Sequence, residues 1–465
     1  MTGGAQPGAA AGAGRRVVEH ATCLGCGCAC DDVEVVVAAG RIVEARRACP
    51  MGAAWFGDGS APARARAAGR DVTLDEALDA AARLLLAARR PLVYLGPDVS
   101  CETQRESVAL ADLLHAALDS VTSAAATASV LASQERGRAG ATLGEIRGRA
   151  DVVVFWGTDP RRTHPRFFER FAPDAVGLFV PDGRRGRVVV AVDVGDFRAP
   201  DDADVRVAVP PAEEVATLLA LRAVVAAPDP KSGPAARAGD LWARARSLAA
   251  TLAAGRYVAI VADAESDGAA GEARDVGRAA ALVAAAQALN GPTRCALVSL
   301  RGGGNRTGAD AVLTSQTGYP MAVDFARGYP RYLPYEGAAR WRLGAGGDVD
   351  AALLVGAPAR LPAGMSEALA RVPCAAIGPR ASEGALAAAA AVVDTAVAGI
   401  HEGGTAVRMD DVPLPLRPSL EGPPAAVDVV RALRERVRRE RVVRERVGHE
   451  RGARETRGPA EERRP

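Results

Sequence analysis

The sequence predicts an α/β protein of several doubly wound parallel-sheet domains, with a small cysteine-rich segment ahead of them. Three observations carry this. Apolar runs of four to seven residues alternate with helix-length stretches from residue 71 onward, the pattern of strands covered on both faces. The runs at 92–95 and 152–156 are broken by Gly96-Pro97 and by Gly157-Thr158-Asp159-Pro160. Five of the eight cysteines fall between positions 23 and 49, before the alternation begins.

The elements follow in order. Residues 1–15 are Gly- and Ala-rich and have no apolar signal core, so they are expected to form a disordered leader. Residues 16–60 carry the cysteines and a short strand pair, a β-branched run at 33–37 and a second run at 41–43 across the Ala39-Gly40 turn. Residues 61–425 hold the alternating pattern, with candidate sub-boundaries near 125, 230 and 345. Thr73 and Glu76 form a capping-box signature; Leu74, Leu78 and Leu84 to Leu86 mark the apolar side, and Pro91 ends that helix. Strands are expected at 92–95, 152–156, 188–194, 257–261, 296–300 and 352–355, with helices at 103–118, 212–226, 278–289 and 365–371 between them. Segment 227–234, with Pro-Asp-Pro, and segment 415–424, with four prolines, read as linkers. Residues 426–465 start as an amphipathic helix and become an Arg/Glu repeat. They are expected as a solvated, frayed helix or, alternatively, as a docking helix for a partner subunit.

The totals exclude several classes. With 465 residues there is room for two to four domains. Apolar residues make up 49% but aromatics only 4%, so the core is expected to be Ala, Val and Leu. Lys231 is the only lysine, read as a compositional bias of the source. Net charge is +2, yet residues 431–465 hold thirteen Arg and seven Glu, which leaves −4 for the rest. A mildly acidic body offers no nucleic-acid groove. No run of 18 uncharged apolar residues exists, so no membrane span is expected. Clustered thiols without an export signal favour metal ligation in a reducing, cytoplasmic setting over disulfides.

Cys23, Cys26, Cys30 and Cys49 give the spacing C-x2-C-x3-C-x18-C. Three close thiolates can wrap one face of a cubane, and a distant fourth can close it, so a [4Fe–4S] cluster is the leading reading. Zinc also takes four thiolates, but usually in two paired knuckles, and here Cys49 stands alone. Structural thiols are the third reading. Gly25 and Gly27 let the backbone bend round the sulfurs. Cys28 is surplus and reads as a filler beside the cluster.

Two further features carry chemistry. The run at 92–95 leads through a short turn to Cys101-Glu102 and a helix. A thiol at a helix N-terminus feels the positive end of the dipole, and a lowered pKa makes it a good ligand or nucleophile. Taken alone, such a cysteine is more often a small buried hydrophobe. The run at 152–156 stops at Gly157-Thr158-Asp159-Pro160, with His164-Pro165 close behind. Backbone N–H groups at the carboxyl edge of an open α/β sheet are where ligands bind. Asp193, in the run at 188–194, can accept bonds from a ribose or nucleobase. Ordinary strand–turn chemistry also explains each element, and the glycine run at 302–308 is a weak signal. No Walker A lysine, H-E-x-x-H or G-x-S-x-G motif occurs, and five His argue against a His-rich metal centre.

The order of these features resembles the molybdopterin oxidoreductases: a cysteine cluster, a strand-to-Cys turn, then Ala-Asp-(apolar)-Gly-Thr-Asp-Pro and His-Pro. The tightest match is to the B subunit of formylmethanofuran dehydrogenase and of its bacterial formyltransferase/hydrolase relative. It is carried by Gln316-Thr-Gly-Tyr-Pro, Val323-Asp-Phe-Ala-Arg327-Gly-Tyr-Pro-Arg331-Tyr332, Pro334 and Glu336. Ser100-Cys101-Glu102-Thr-Gln104, Asn305 with Gly308, and Gly404-Thr405 to Arg408-Met409-Asp410 also fit. The resemblance covers about residues 18–435. It implies a molybdopterin-oxidoreductase-like fold with Cys23, Cys26, Cys30 and Cys49 on a [4Fe–4S] cluster. It implies Cys101 as ligand to tungsten or molybdenum in a bis(pterin guanine dinucleotide) centre. Arg327 would be an active-site arginine, and Gly157, Thr158, Asp159, Pro160, His164 and Asp193 would touch the cofactor. The implied activity is formate and carbon dioxide redox chemistry feeding formyl-methanofuran metabolism. The implied partners are sibling subunits of amidohydrolase-like A, formyltransferase C and small pterin-capping D types.

The departures point to a second function. Formate-converting relatives place a His after the metal-ligating Cys, whereas this chain has Glu102, which could handle protons near pH 7 only with a raised pKa. Gly302-Gly303-Gly304 stands where a His is expected, and Ser315 where a Trp is expected. These losses resemble the bacterial branch. There the complex moves formyl from formyl-tetrahydromethanopterin to methanofuran and releases formate, with the B subunit as a non-redox scaffold and the cofactor possibly lost. A free-standing electron carrier is disfavoured by length.

Overall fold

A computed structural model describes residues 14–229, 231–263, 265, 276–334, 343 and 347–456, with side chains through 443. Most of the expected leader, Pro230 of one expected linker, Glu336 and the end of the Arg/Glu repeat lie outside these. The described strands form a mixed α/β body of four sheets.

The N-terminal segment is a three-stranded antiparallel meander, Arg16–Ala21, Val33–Ala38 and Arg41–Arg46. The expected strand pair thus gains a third strand, and the cysteine loop is the connection between the first two. Val33, Val35 and Val37 of the middle strand join the core shared with the cysteines, and Val36 between them is buried as well. A short helix, Pro50–Phe56, follows with Cys49 as its N-cap.

Five parallel strands make the second sheet, in the order Val205–Val209, Val188–Val194, Val152–Trp156, Tyr257–Asp263, Arg294–Leu300. Alternate residues face opposite ways. Val153, Phe155, Ala191, Val261 and Val298 join a core shared with the cysteine segment. Val152, Val154, Trp156, Val192 and Ile260 pack under helices Glu214–Ala226, Asp240–Ala253 and Val276–Leu289. Strands from both sides of residue 230 share this sheet, so no division between sheets falls there.

The third sheet has nine strands. Its centre is parallel, Ala117–Ser120, Pro91–Leu95, Ala351–Val355, Cys374–Gly378 and Ala391–Asp394. Short antiparallel strands close both edges. The helix expected at 103–118 stops at Leu113, because 117–120 is needed as a strand beside Pro91–Leu95. Part of the expected linker at 415–424 also belongs to a strand, Pro413–Leu416, paired with Gly404–Val407.

The tail corrects an expectation. Helix Ala426–Thr456 begins as part of the core: Val429, Val430, Leu433 and Val437 are buried against helices Leu74–Ala87 and Cys101–Leu113. Arg434 pairs with Glu106 at 2.9 Å, and Arg436 with Asp79 at 3.0 Å. No described helix is long and apolar enough to cross a membrane.

Candidate functional site

The cysteine loop folds back on itself. Cys23 N–H donates to the Cys30 carbonyl at 2.8 Å, and Ala29 N–H to that of Cys26 at 3.1 Å. Cys23, Cys26, Cys30 and Cys49 line one small cavity with Val33, Met51, Gly52 and Arg166. Gly25 N–H points at the Cys23 sulfur at 3.3 Å and Gly52 N–H at the Cys49 sulfur at 3.4 Å. Backbone donors to thiolate sulfur are what iron–sulfur sites use to stabilise charge. A side chain at Gly27 would run into the Arg301 carbonyl, so the loop is pressed against its neighbour. Zinc would draw four sulfurs to about 3.8 Å of one another, given Zn–S bonds of about 2.3 Å. Among the described residues, no three His, Cys, Asp or Glu groups converge on one ion.

The electrostatics of the loop involve residues the sequence did not single out. Cys28, fully buried, bonds to Cys26; that bond, against burial and with His164 and Arg166 nearby, lowers the Cys26 thiol to about 6. Cys28, expected as a filler, is therefore a partner of Cys26. Burial pushes Cys23 up, and pushes Cys30 up against the pull of Arg170. Arg166 grips Asp32 with two bonds of 2.8 Å, and Arg170 donates to Asp31 at 2.7 Å.

One layer of backbone separates this loop from Cys101. Gly304 N–H donates to the Leu24 carbonyl at 2.9 Å, and Asn305 N–H to the Pro97 carbonyl. A Cβ at Gly303 would strike the Gly25 carbonyl, and one at Gly304 the Pro97 carbonyl. The glycine run is thus a spacer that permits close approach. Asn305 Nδ2 lies 3.4 Å from the Cys101 sulfur and 3.0 Å from the Val99 carbonyl, while its Oδ1 accepts from Val407 N–H at 2.8 Å.

Cys101 does open a helix, Cys101–Leu113, behind the N-cap Ser100. The lowered pKa expected there does not follow: the thiol is 2% exposed, and burial raises it despite the Asn305 bond. Glu102 turns to Thr405, accepting from its N–H at 2.8 Å and its hydroxyl at 3.0 Å. Glu402 accepts from Ser100 and Thr103 hydroxyls at 2.8 and 3.1 Å and from Ala426 N–H at 2.7 Å. That carboxylate ties the Cys101 helix to the tail helix.

The Gly157 turn sits between strands Val152–Trp156 and Tyr257–Asp263, where the strand order reverses, the usual binding crevice of such sheets. Gly157 has φ +60°. Thr158 donates to Asp263 at 3.0 Å, and Asp159 caps Pro160–Thr163 and pairs with Arg161. His164 Nε2 meets the Arg301 carbonyl at 2.9 Å, joining this turn to the cysteine side. Asp193 is buried and committed: it accepts from Ala199 N–H at 2.9 Å and pairs with Arg206 at 2.6 Å and Arg198 at 3.2 Å. It braces its own loop. Arg327 is exposed on the turn after Val323–Asp324, and nothing among the described residues links it to Cys101. Sequence reasoning also missed a buried network in which Arg301 pairs with Glu265 at 2.7 Å and Asp310 at 2.5 Å, and Arg306 with Glu265.

No protein-family model matches the chain. Two curated archaeal proteins do. The B subunit of tungsten-containing formylmethanofuran dehydrogenase 2 from Methanocaldococcus jannaschii is 33% identical over 88% of this chain and 95% of its own length. The protein of the same name from Methanococcus maripaludis is 32% identical over the same shares. Among solved structures, a chain of the formyltransferase/hydrolase complex of Methylorubrum extorquens, determined with methylofuran, superposes with a TM-score of 0.67 at 26% identity. The match covers 81% of this chain and 99% of that one. With the identity running nearly end to end on the archaeal proteins, and the fold on the bacterial one, this chain belongs to the family of formylmethanofuran dehydrogenase B subunits.

Proposed function

We propose that the chain is the B subunit of a formylmethanofuran dehydrogenase-type complex whose cysteine cage holds a [4Fe–4S] cluster beside a tungsten- or molybdenum-pterin centre ligated by Cys101. The observation that carries this reading is the single backbone layer, Gly303 to Asn305, between the cysteine loop and the Cys101 thiol. Such a centre supplies the two-electron interconversion of carbon dioxide and formate. Cys23, Cys26, Cys30 and Cys49 bind the cluster, and the Gly25 and Gly52 N–H groups donate to their sulfurs. Asn305 orients the Cys101 sulfur. The turn at Gly157 to Pro160 offers its backbone at the crevice for the pterin dinucleotide. Formyl transfer to methanofuran falls to sibling subunits of A and C types, with a D-type subunit capping the pterin. The archaeal relatives' tungsten-containing names and the multisubunit structural neighbour support this assignment.

A second reading is a non-redox scaffold of a formyltransferase/hydrolase complex. It is favoured by the close packing of the Cys101 thiol and by Glu102 being held by Thr405. Elemental analysis of the anaerobically purified complex decides between them. The redox reading expects iron together with tungsten or molybdenum, and a Cys101→Ser complex that loses formate oxidation while keeping formyl transfer. A metal-free complex with full formyl transfer would overturn it.

A further inference from the structure

We propose that Arg170, supported by Arg166, is a positioning residue that sets the reduction potential of the cluster in the cysteine cage by holding positive charge on its Cys30 side. This rests on the cluster reading above. Arg166 lines the cavity with the thiols, and Arg170 is held at the residue after Cys30 by its bond to Asp31 at 2.7 Å. Both belong to one short turn of helix, Phe167–Arg170 and its N-cap, whose Phe167 and Phe168 are anchored in the shared core, Phe168 stacked on Phe155 at 5.2 Å. The arginines are thus held by packing as well as by their ion pairs.

Asp31 and Asp32 balance these two charges formally, but not in position. The Arg166 and Arg170 side chains are 12% and 17% exposed, whereas Asp32 and Asp31 are 28% and 39% exposed. Glu169, which also pairs with Arg166, is 59% exposed. The cavity therefore faces cations in the less solvated layer and anions in the more screened one. Arg170 Nη1 is buried and 3.2 Å from Asp32, yet among the described residues no acceptor meets it with hydrogen-bond geometry. A buried donor left over next to the cysteine loop suits a site that carries negative charge. Uptake of one electron adds one negative charge to the cluster and releases nothing, so a neighbouring guanidinium favours the reduced form.

The test is a dithionite titration of the anaerobically purified complex, following the EPR signal of the reduced cluster; turnover is not read. Arg170→Gln is expected to lower the equilibrium constant for reduction about tenfold, the weight of one charged hydrogen bond, which is 59 mV for one electron. Arg170→Lys keeps the charge and is expected to stay near the wild-type midpoint, a rescue that a merely structural role would not give. If the Gln substitution empties the site, Asp31→Asn tests the same field with the opposite sign, and its midpoint is expected to rise. An iron-loaded Arg170→Gln or Asp31→Asn complex with an unmoved midpoint overturns the proposal alone. A wild-type complex without iron overturns the cluster reading and this proposal with it.

Discussion

Glu402 is the joint through which the Cys101 helix is held to the tail helix, and its removal has a size that can be worked out. The side chain belongs to a residue 5% exposed. One oxygen accepts from the Ser100 and Thr103 hydroxyls, the other from Ala426 N–H. In Glu402→Ala the Ala426 N–H is orphaned, costing about 1–3 kcal/mol, and two hydroxyl bonds of about 1 kcal/mol each are lost. Ser100 and Thr103 still hold one another at 3.0 Å, so about 3 kcal/mol is expected in all. Amide hydrogen exchange in 101–107 and 426–437 should then quicken on the order of a hundredfold. Exchange within about threefold of wild type would refute the idea that this carboxylate joins the two helices. The pH dependence follows from the same site. Burial raises the Glu402 pKa despite its three bonds, so on raising the pH the unfolded chain ionises first. Its stabilisation is whole below the ordinary carboxyl range, about 4.3, and is lost as pH climbs through the raised folded value. Wild type should therefore lose stability relative to Glu402→Gln between acid and neutral pH, as read by denaturant unfolding.

Two further predictions concern packing. Leu433→Ala, at a fully buried position of the tail helix, should cost about 2–5 kcal/mol in thermal unfolding, and a negligible change would restore the solvated tail. Gly303→Val should force the Gly302–Asn305 layer off the Gly25 carbonyl at about 1–3 kcal/mol, lowering iron per chain while far-UV circular dichroism stays unchanged; full iron content would show that the close approach is dispensable.

The parallel strands were legible because burial on both faces leaves short runs such as 152–156 and 188–194 with hardly a polar residue. What stayed hidden was decided by tertiary pairing. Ala117 and Leu118 continue a helical pattern, yet they close the nine-stranded sheet beside Pro91–Leu95. Pro413–Leu416 holds two prolines and looks like a linker, but it is a strand in a two-stranded ribbon, where missing N–H donors matter little. Val429, Leu433 and Val437 lie in an Arg-rich stretch whose charged residues span to Glu106 and Asp79, so their burial cannot be told from a solvated helix by composition. At the site, the spacing of Cys23, Cys26, Cys30 and Cys49 suggested a common ligand set, and the fold places all four round one cavity. Arg166 and Arg170, 136 and 140 positions after Cys30, carried no signal, because the contact is made by the fold alone.

The glycine run at 302–304 shows why a residue missing from a family pattern need not mean a function lost. Read against formate-converting relatives, glycine in place of histidine looks like the removal of a proton handler. In the fold, each glycine sits where a side chain would meet backbone or a neighbouring guanidinium: Gly302 faces Arg306, Gly303 faces Gly25, and Gly304 faces Pro97. Asn305, next in sequence, holds the Cys101 sulfur and the Val99 carbonyl through its amide nitrogen. The glycines therefore permit the close approach of the cysteine loop to the layer beside Cys101. The same reasoning makes Glu102 the weaker clue, since Thr405 satisfies its carboxylate whether or not Cys101 ligates a metal. The weight of the decision falls on the sulfur of Cys101, which Asn305 holds at 3.4 Å.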